Sequence, residues 1–156
     1  MKKSIISALS AAVVFVAFPV SVVAQDGATV QTAEEASRQS SWYGKPFAVD
    51  GQDVVSYQTE AGPVAGSQEF TANWDNTEWR FASAENRDLF LNDPDRYVPQ
   101  FGGYCPVALA QGHTKVGTAR HFNVVDEKLY LNINRRTQNS FDDNPVGYIA
   151  AAKVTF

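Results

Sequence analysis

Apolar and polar positions alternate most clearly between residues 70 and 81. Phe70, Ala72 and Trp74 share one face, Asp75-Asn76-Thr77 supplies a turn, and Trp79 and Phe81 resume with Arg80 pointing the other way. A period of two on both sides of a tight turn predicts an antiparallel hairpin with one buried face. Upstream, Asp53-Val54-Val55-Ser56-Tyr57 is a short β-prone run closed by the turn signal Glu60-Ala61-Gly62-Pro63, and Gly66-Ser67 opens the next extended segment. Ser83 fits the N-cap of a helix with Glu85 in its first turn and Leu89-Phe90 on the inward stripe. That helix must stop before Pro94, where Asp93-Pro94 starts a single turn through Tyr97 that Pro99 ends.

Phe101-Gly102-Gly103-Tyr104-Cys105-Pro106 reads as a loop, followed by a short helix over 107–111 that ends at Gly112. Residues 121–126 and 129–133 predict a second hairpin. The tail from Asn134, restarted at Asn144-Pro145, reads as one broken helix toward Ala152. Hairpins and helices alternate without parallel crossover units, so the expected class is α+β: a small single domain of antiparallel hairpins with short helices and a C-terminal broken helix. At this level no internal repeat is evident, and a second domain does not fit the length.

The N-terminus changes the composition. Lys2 and Lys3 precede an apolar run over 5–23, and Val22-Val23-Ala24 presents a processing site, the pattern of a secretory signal peptide over 1–24. Ser7, Ser10, Pro19 and Ser21 dilute the run and no basic stop-transfer cluster follows it, which argues against a retained membrane anchor. Cleavage shifts the formal charge from −4 to −6 and removes Met1, the only methionine. The expected product is periplasmic or secreted, with no membrane partner after cleavage. So acidic a chain lacks the cationic face that nucleic-acid binding needs. Residues 25–41 are polar, small and acidic and read as a flexible leader, leaving 42–156 as the folded part.

The run from Trp79 to Tyr97 carries Phe81, Ser83, Phe90, Asp93, Pro94 and Tyr97 at the spacing of the YHS domain, a small module related to the TRASH metal-binding group. Phe101-Gly102-Gly103-Tyr104-Cys105 resembles the G-G-Y-C element of an exported bacterial YHS subfamily, and with Asp50-Gly51-Gln52-Asp53-Val54-Val55-Ser56-Tyr57 the resemblance spans most of 50–156. It implies soft-metal or redox chemistry at Cys105. Metal-binding relatives, however, carry cysteines where this chain has Ala82 and Asn86, and another near Asp53-Val54, so their thiolate site does not transfer.

Cys105 is the single cysteine, which excludes an internal disulfide and any Cys-only zinc or iron–sulfur site within one chain. It is read either as a small buried hydrophobe or as a functional sulfur that Gly102-Gly103 leaves open to close approach. If it binds metal, His113 and His121, the two imidazoles, are its natural partners, and one thiolate with two imidazoles suits copper or zinc. Gly102, Gly103 and Tyr104 are the candidate small-ligand contacts, with Trp42 and Tyr43 as further pocket-lining or core aromatics. Asp142-Asp143 and Glu34-Glu35 read as solvated faces. No nucleophile elbow, phosphate loop, zincin helix or dinucleotide signature appears. Three functions stay open: a soft-metal or small-ligand binding protein centred on Cys105, a thiol redox protein in which Cys105 forms a sulfenate or a mixed disulfide with a protein partner, and a non-catalytic interaction module.

Overall fold

The computed structural model describes residues 40–42, 45–59 and 62–156, which belong to one compact unit; the signal-peptide reading of 1–24 and most of the leader lie outside them. The class is α+β. Strand β1 (Gln52–Asp53) pairs with β2 (Val64–Ala65), β3 (Ser67–Trp74) with β4 (Thr77–Phe81), and β5 (Thr118–Val125) with β6 (Lys128–Asn132), all antiparallel and in separate two-stranded sheets. Six helices accompany them among the described residues: α1 (Ser56–Thr59), α2 (Ala84–Asn92), α3 (Pro94–Tyr97), α4 (Pro106–Leu109), α5 (Arg135–Asp143) and α6 (Pro145–Thr155).

The β3–β4 hairpin turns on Asp75 and Asn76, both left-handed, which matches the twist of the strands it joins. Thr77, Trp79 and Phe81 of β4 are buried while Glu78 and Arg80 are half-exposed, as the alternation predicts. Ser83 Oγ accepts the Asn86 N–H at 3.2 Å to start α2, and Pro94 opens α3. Phe90 is fully buried, stacked on Trp79 at 5.0 Å between ring centroids. Leu89 is not inward: it is 42% exposed, because a nine-residue helix lying on the hairpin through Phe90 turns its neighbour about 100° away.

The run Asp53-Val54-Val55-Ser56-Tyr57 also departs from expectation, leaving the sheet after Asp53. Asp53 Oδ1 accepts the Val55 N–H at 2.9 Å and Ser56 Oγ donates to Asp53 O at 2.6 Å, and these local bonds bend the chain into α1 against its β propensity. The folded body begins earlier than residue 42, since Ser40 is buried and Ser41 N–H donates to Gly102 O at 2.6 Å.

The largest correction is the repeat. β3 and β5 begin 51 positions apart, as do β4 and β6, α2 and α5, and α3 and α6. Both hairpins carry the same register irregularity: Ser67 faces Phe81 and Thr71 faces Arg80 in one, Thr118 faces Asn132 and Phe122 faces Leu131 in the other. A Cβ on Gly66 would come within 2.5 Å of the Arg80 backbone, and one on Gly117 within 2.6 Å of the Leu131 backbone, so both hairpins need a bare glycine at the same crossing. Trp79, Phe90 and Tyr97 of the first half find counterparts in Tyr130, Phe141 and Tyr148 of the second; one apolar cluster gathers the first half together with Leu129 and Leu131 of β6, and a smaller one lies wholly in the second half. The described residues contain two structural copies of one unit. They share glycines, helix starts and aromatic anchors rather than chemistry, which is why the sequence hides them.

Candidate functional site

The Gly102-Gly103-Tyr104-Cys105 segment is a left-handed turn. Phe101, Gly102 and Gly103 have φ of 54°, 55° and 78°, a conformation costing a side-chain-bearing residue such as Phe101 roughly 1–2 kcal/mol. The same turn occurs in the first half at Val49, Asp50 and Gly51. Tyr104 N–H donates to Phe101 O at 3.0 Å and Gly117 N–H to Gly103 O at 2.9 Å, closing the turn onto the strand that follows. A Cβ on Gly103 would meet Ser41 Oγ at 2.5 Å and the Trp42 ring at 3.0 Å. The close approach that the two glycines permit is therefore made by the chain's own residues Ser41 and Trp42. Trp42 belongs to the core. Tyr104 pairs with Val116 in an isolated bridge and, with Leu109 and Phe156, borders a hollow of about 210 Å³.

Cys105 lies immediately before α4 with no exposed surface. Its N–H donates to Lys115 O at 2.9 Å and its thiol donates to Asn132 Oδ1 at 3.7 Å. Asn132 Nδ2 donates in turn to Asn123 Oδ1 at 2.7 Å, and Asn123 Nδ2 donates to the Asp142 carboxylate. The sulfur thus opens a chain of polar contacts that runs to a surface carboxylate.

His113 is exposed and its N–H closes the end of α4 on Ala108 O at 2.9 Å. His121 sits within β5, with Nδ1 3.4 Å from Gln138 Oε1. The two imidazoles and the thiol do not converge, and among the described residues no three His, Cys, Asp or Glu side chains are placed to hold a metal ion. The donor set expected for copper or zinc is not assembled among the described residues.

Three other positions do converge. Asp53 is fully buried, and its Oδ2 accepts the Ala82 N–H at 2.8 Å and Asn86 Nδ2 at 2.6 Å, beside the Oδ1 bond to Val55 N–H. These are the positions where the YHS resemblance implies cysteines. Here one carboxylate and its N–H partners fill the place, giving a hydrogen-bonded core instead of a thiolate set.

The structure adds a cleft of about 450 Å³ bounded by α4, the loop after it, and the starts of α5 and α6. Val107, Ala108 and Ile133 form its apolar floor; His113, Lys115 and Arg136 line its rim; Thr137, Ser140 and Tyr148 add hydroxyls. Of these, the sequence singled out only His113. A signal was present in Arg135-Arg136, which follow the helix-capping Asn134 directly, because cations in a first turn oppose the helix dipole and so call for another explanation. No family model, curated protein or solved structure matches the chain.

Proposed function

We propose that the protein is an exported YHS-type module that binds a small ligand without transforming it, and that the ligand occupies the cleft between α4, α5 and α6. The observation that carries this reading is the combination in one concavity of an apolar floor, several convergent polar groups and a volume within the range of small-molecule sites, about 300–1,000 Å³. The G-G-Y-C segment serves the cleft indirectly. Cys105 N–H holds the Lys115 carbonyl, and the buried sulfur packs with Val107, Ala108 and Phe141 beneath it. Redox chemistry would need a reachable thiolate, whereas this thiol is enclosed and donates to an amide oxygen. Export rests on the processing pattern at 1–24.

The test is a screen of small fragments by amide chemical-shift mapping on the folded protein. Shifts confined to the walls of the cleft, at 107–117 and 133–148, are the expected result. Fragments that perturb only other surfaces, or a native thiol that alkylates at once, would overturn the reading.

A further inference from the structure

We infer that the ligand is a small organic anion, a carboxylate or phosphate carried on an apolar body, gripped by Lys115 and Arg136. This rests on the cleft being the binding site. The protein is net acidic, yet no carboxylate lines this cleft, while Lys115, Arg136 and His113 do. The side chains of Lys115 and Arg136 make no hydrogen bond or ion pair among the described residues, as is also true of Arg120 and Arg135, whereas Arg80, Arg87 and Arg96 are each paired with an acid. Lysine and arginine donate hydrogen bonds and cannot accept them, so two unpaired cations on one rim select a partner that brings acceptors and negative charge.

The duplication supplies an internal control. The position of Arg136 in α5 corresponds to Glu85 in α2, the acid that the first turn of a helix ordinarily favours. The second half has a cation where the first has an anion, against local helix stability. A requirement from outside the helix accounts for the reversal, and Arg136 lines the cleft. Val107, Ala108 and Ile133 beneath it suit an aliphatic or aromatic body rather than a bare inorganic ion.

The experiment titrates hexanoate, hexyl phosphate and the neutral isostere hexanamide into the protein, with calorimetry and amide shift mapping as readouts. One or both anions should bind at the cleft, more weakly at high salt, and hexanamide should bind at least about tenfold more weakly. Which anion binds better distinguishes carboxylate from phosphate. Arg136→Gln and Lys115→Gln should each weaken anion binding by about tenfold without lowering the thermal midpoint, since both are exposed and Arg136 opposes the dipole of its own helix. Arg120→Gln, a cation beside a different hollow, should change nothing. Equal binding of hexanamide at the cleft would overturn the anion inference and leave the site standing. Absence of binding there by all three probes would overturn the inference, and fragments failing at the same walls would remove the site with it.

Discussion

Asp53 and Cys105 occupy equivalent positions in the two halves of the chain, each following a left-handed turn and each fully buried. The first accepts three N–H donors; the second donates its thiol hydrogen to Asn132. One place in the repeated unit thus holds an acceptor in one copy and a donor in the other, and each copy has changed its surroundings to suit.

Cys105 should be inert in the native protein. Alkylation with an uncharged maleimide is expected to await denaturant, with the rate following unfolding rather than reagent concentration, because the sulfur has no exposed surface. Cys105→Ala should retain ligand binding at the cleft. Native labelling within the mixing time would show that the sulfur is open.

Asp53→Ala should be among the most damaging single changes. It leaves the Val55 and Ala82 N–H groups and the Asn86 amide without their acceptor, at about 1–3 kcal/mol for each donor stranded away from water. Urea denaturation monitored by tryptophan fluorescence should show a loss of about 3 kcal/mol or more. A loss within ordinary surface scatter, about 0.5 kcal/mol, would mean that solvent satisfies those donors.

Much of this was readable from the sequence, and the parts that were share one property. Both hairpins, the Ser83 cap, the breaks at Pro94 and Pro145 and the helix that restarts at Asn144 depend on residues within a few positions of one another. The misread parts depend on partners far along the chain or on backbone shape. Val54 and Val55 look like a strand until Asp53 is seen to cap the turn, and Gly102-Gly103 look open until Ser41 and Trp42 are laid over them. The cleft was invisible because Lys115 and Arg136 come together only when α5 docks beside α4.

Phe90 and Phe141 should prove interchangeable in their importance. Both are fully buried on the same side of equivalent helices, against Trp79 and Tyr130 at 5.0 and 5.2 Å. Truncation to alanine should cost about 3–5 kcal/mol at either site, read from equilibrium unfolding. A large effect at one and a negligible effect at the other would break the structural equivalence of the halves.

Alkaline pH should weaken the fold. Tyr57 donates to Ala119 O at 2.9 Å, and burial, with the Asp50 and Asp53 charges behind it, pushes its hydroxyl far above the ordinary tyrosine range; burial and then Asp126 raise Tyr130 as well. Above about pH 10 the unfolded chain releases these protons while the folded one keeps them, so the unfolded state binds fewer protons and stability falls as pH rises. Below that pH the contribution is fully present. Urea midpoints between about pH 8 and 11 should decline, and less steeply in Tyr57→Phe, which should also lose about 1 kcal/mol at neutral pH with its hydrogen bond. An unchanged alkaline slope in that variant would assign the effect elsewhere.

Adjacent copies of one unit carry a hazard during folding, because a hairpin that can dock in its neighbour's place produces swapped or crossed chains. The inner faces of these two hairpins disfavour the exchange. Phe81 in β4 stands where β6 has Asn132, whose amide meets the Cys105 thiol and Asn123. A β6 hairpin seated in the first half would bury that amide among the rings of Trp79 and Phe90 without those partners, and a β4 hairpin in the second would force a phenyl ring into a space shaped for an amide. The divergence that hides the repeat from sequence comparison also makes each hairpin suit its own half better than the other.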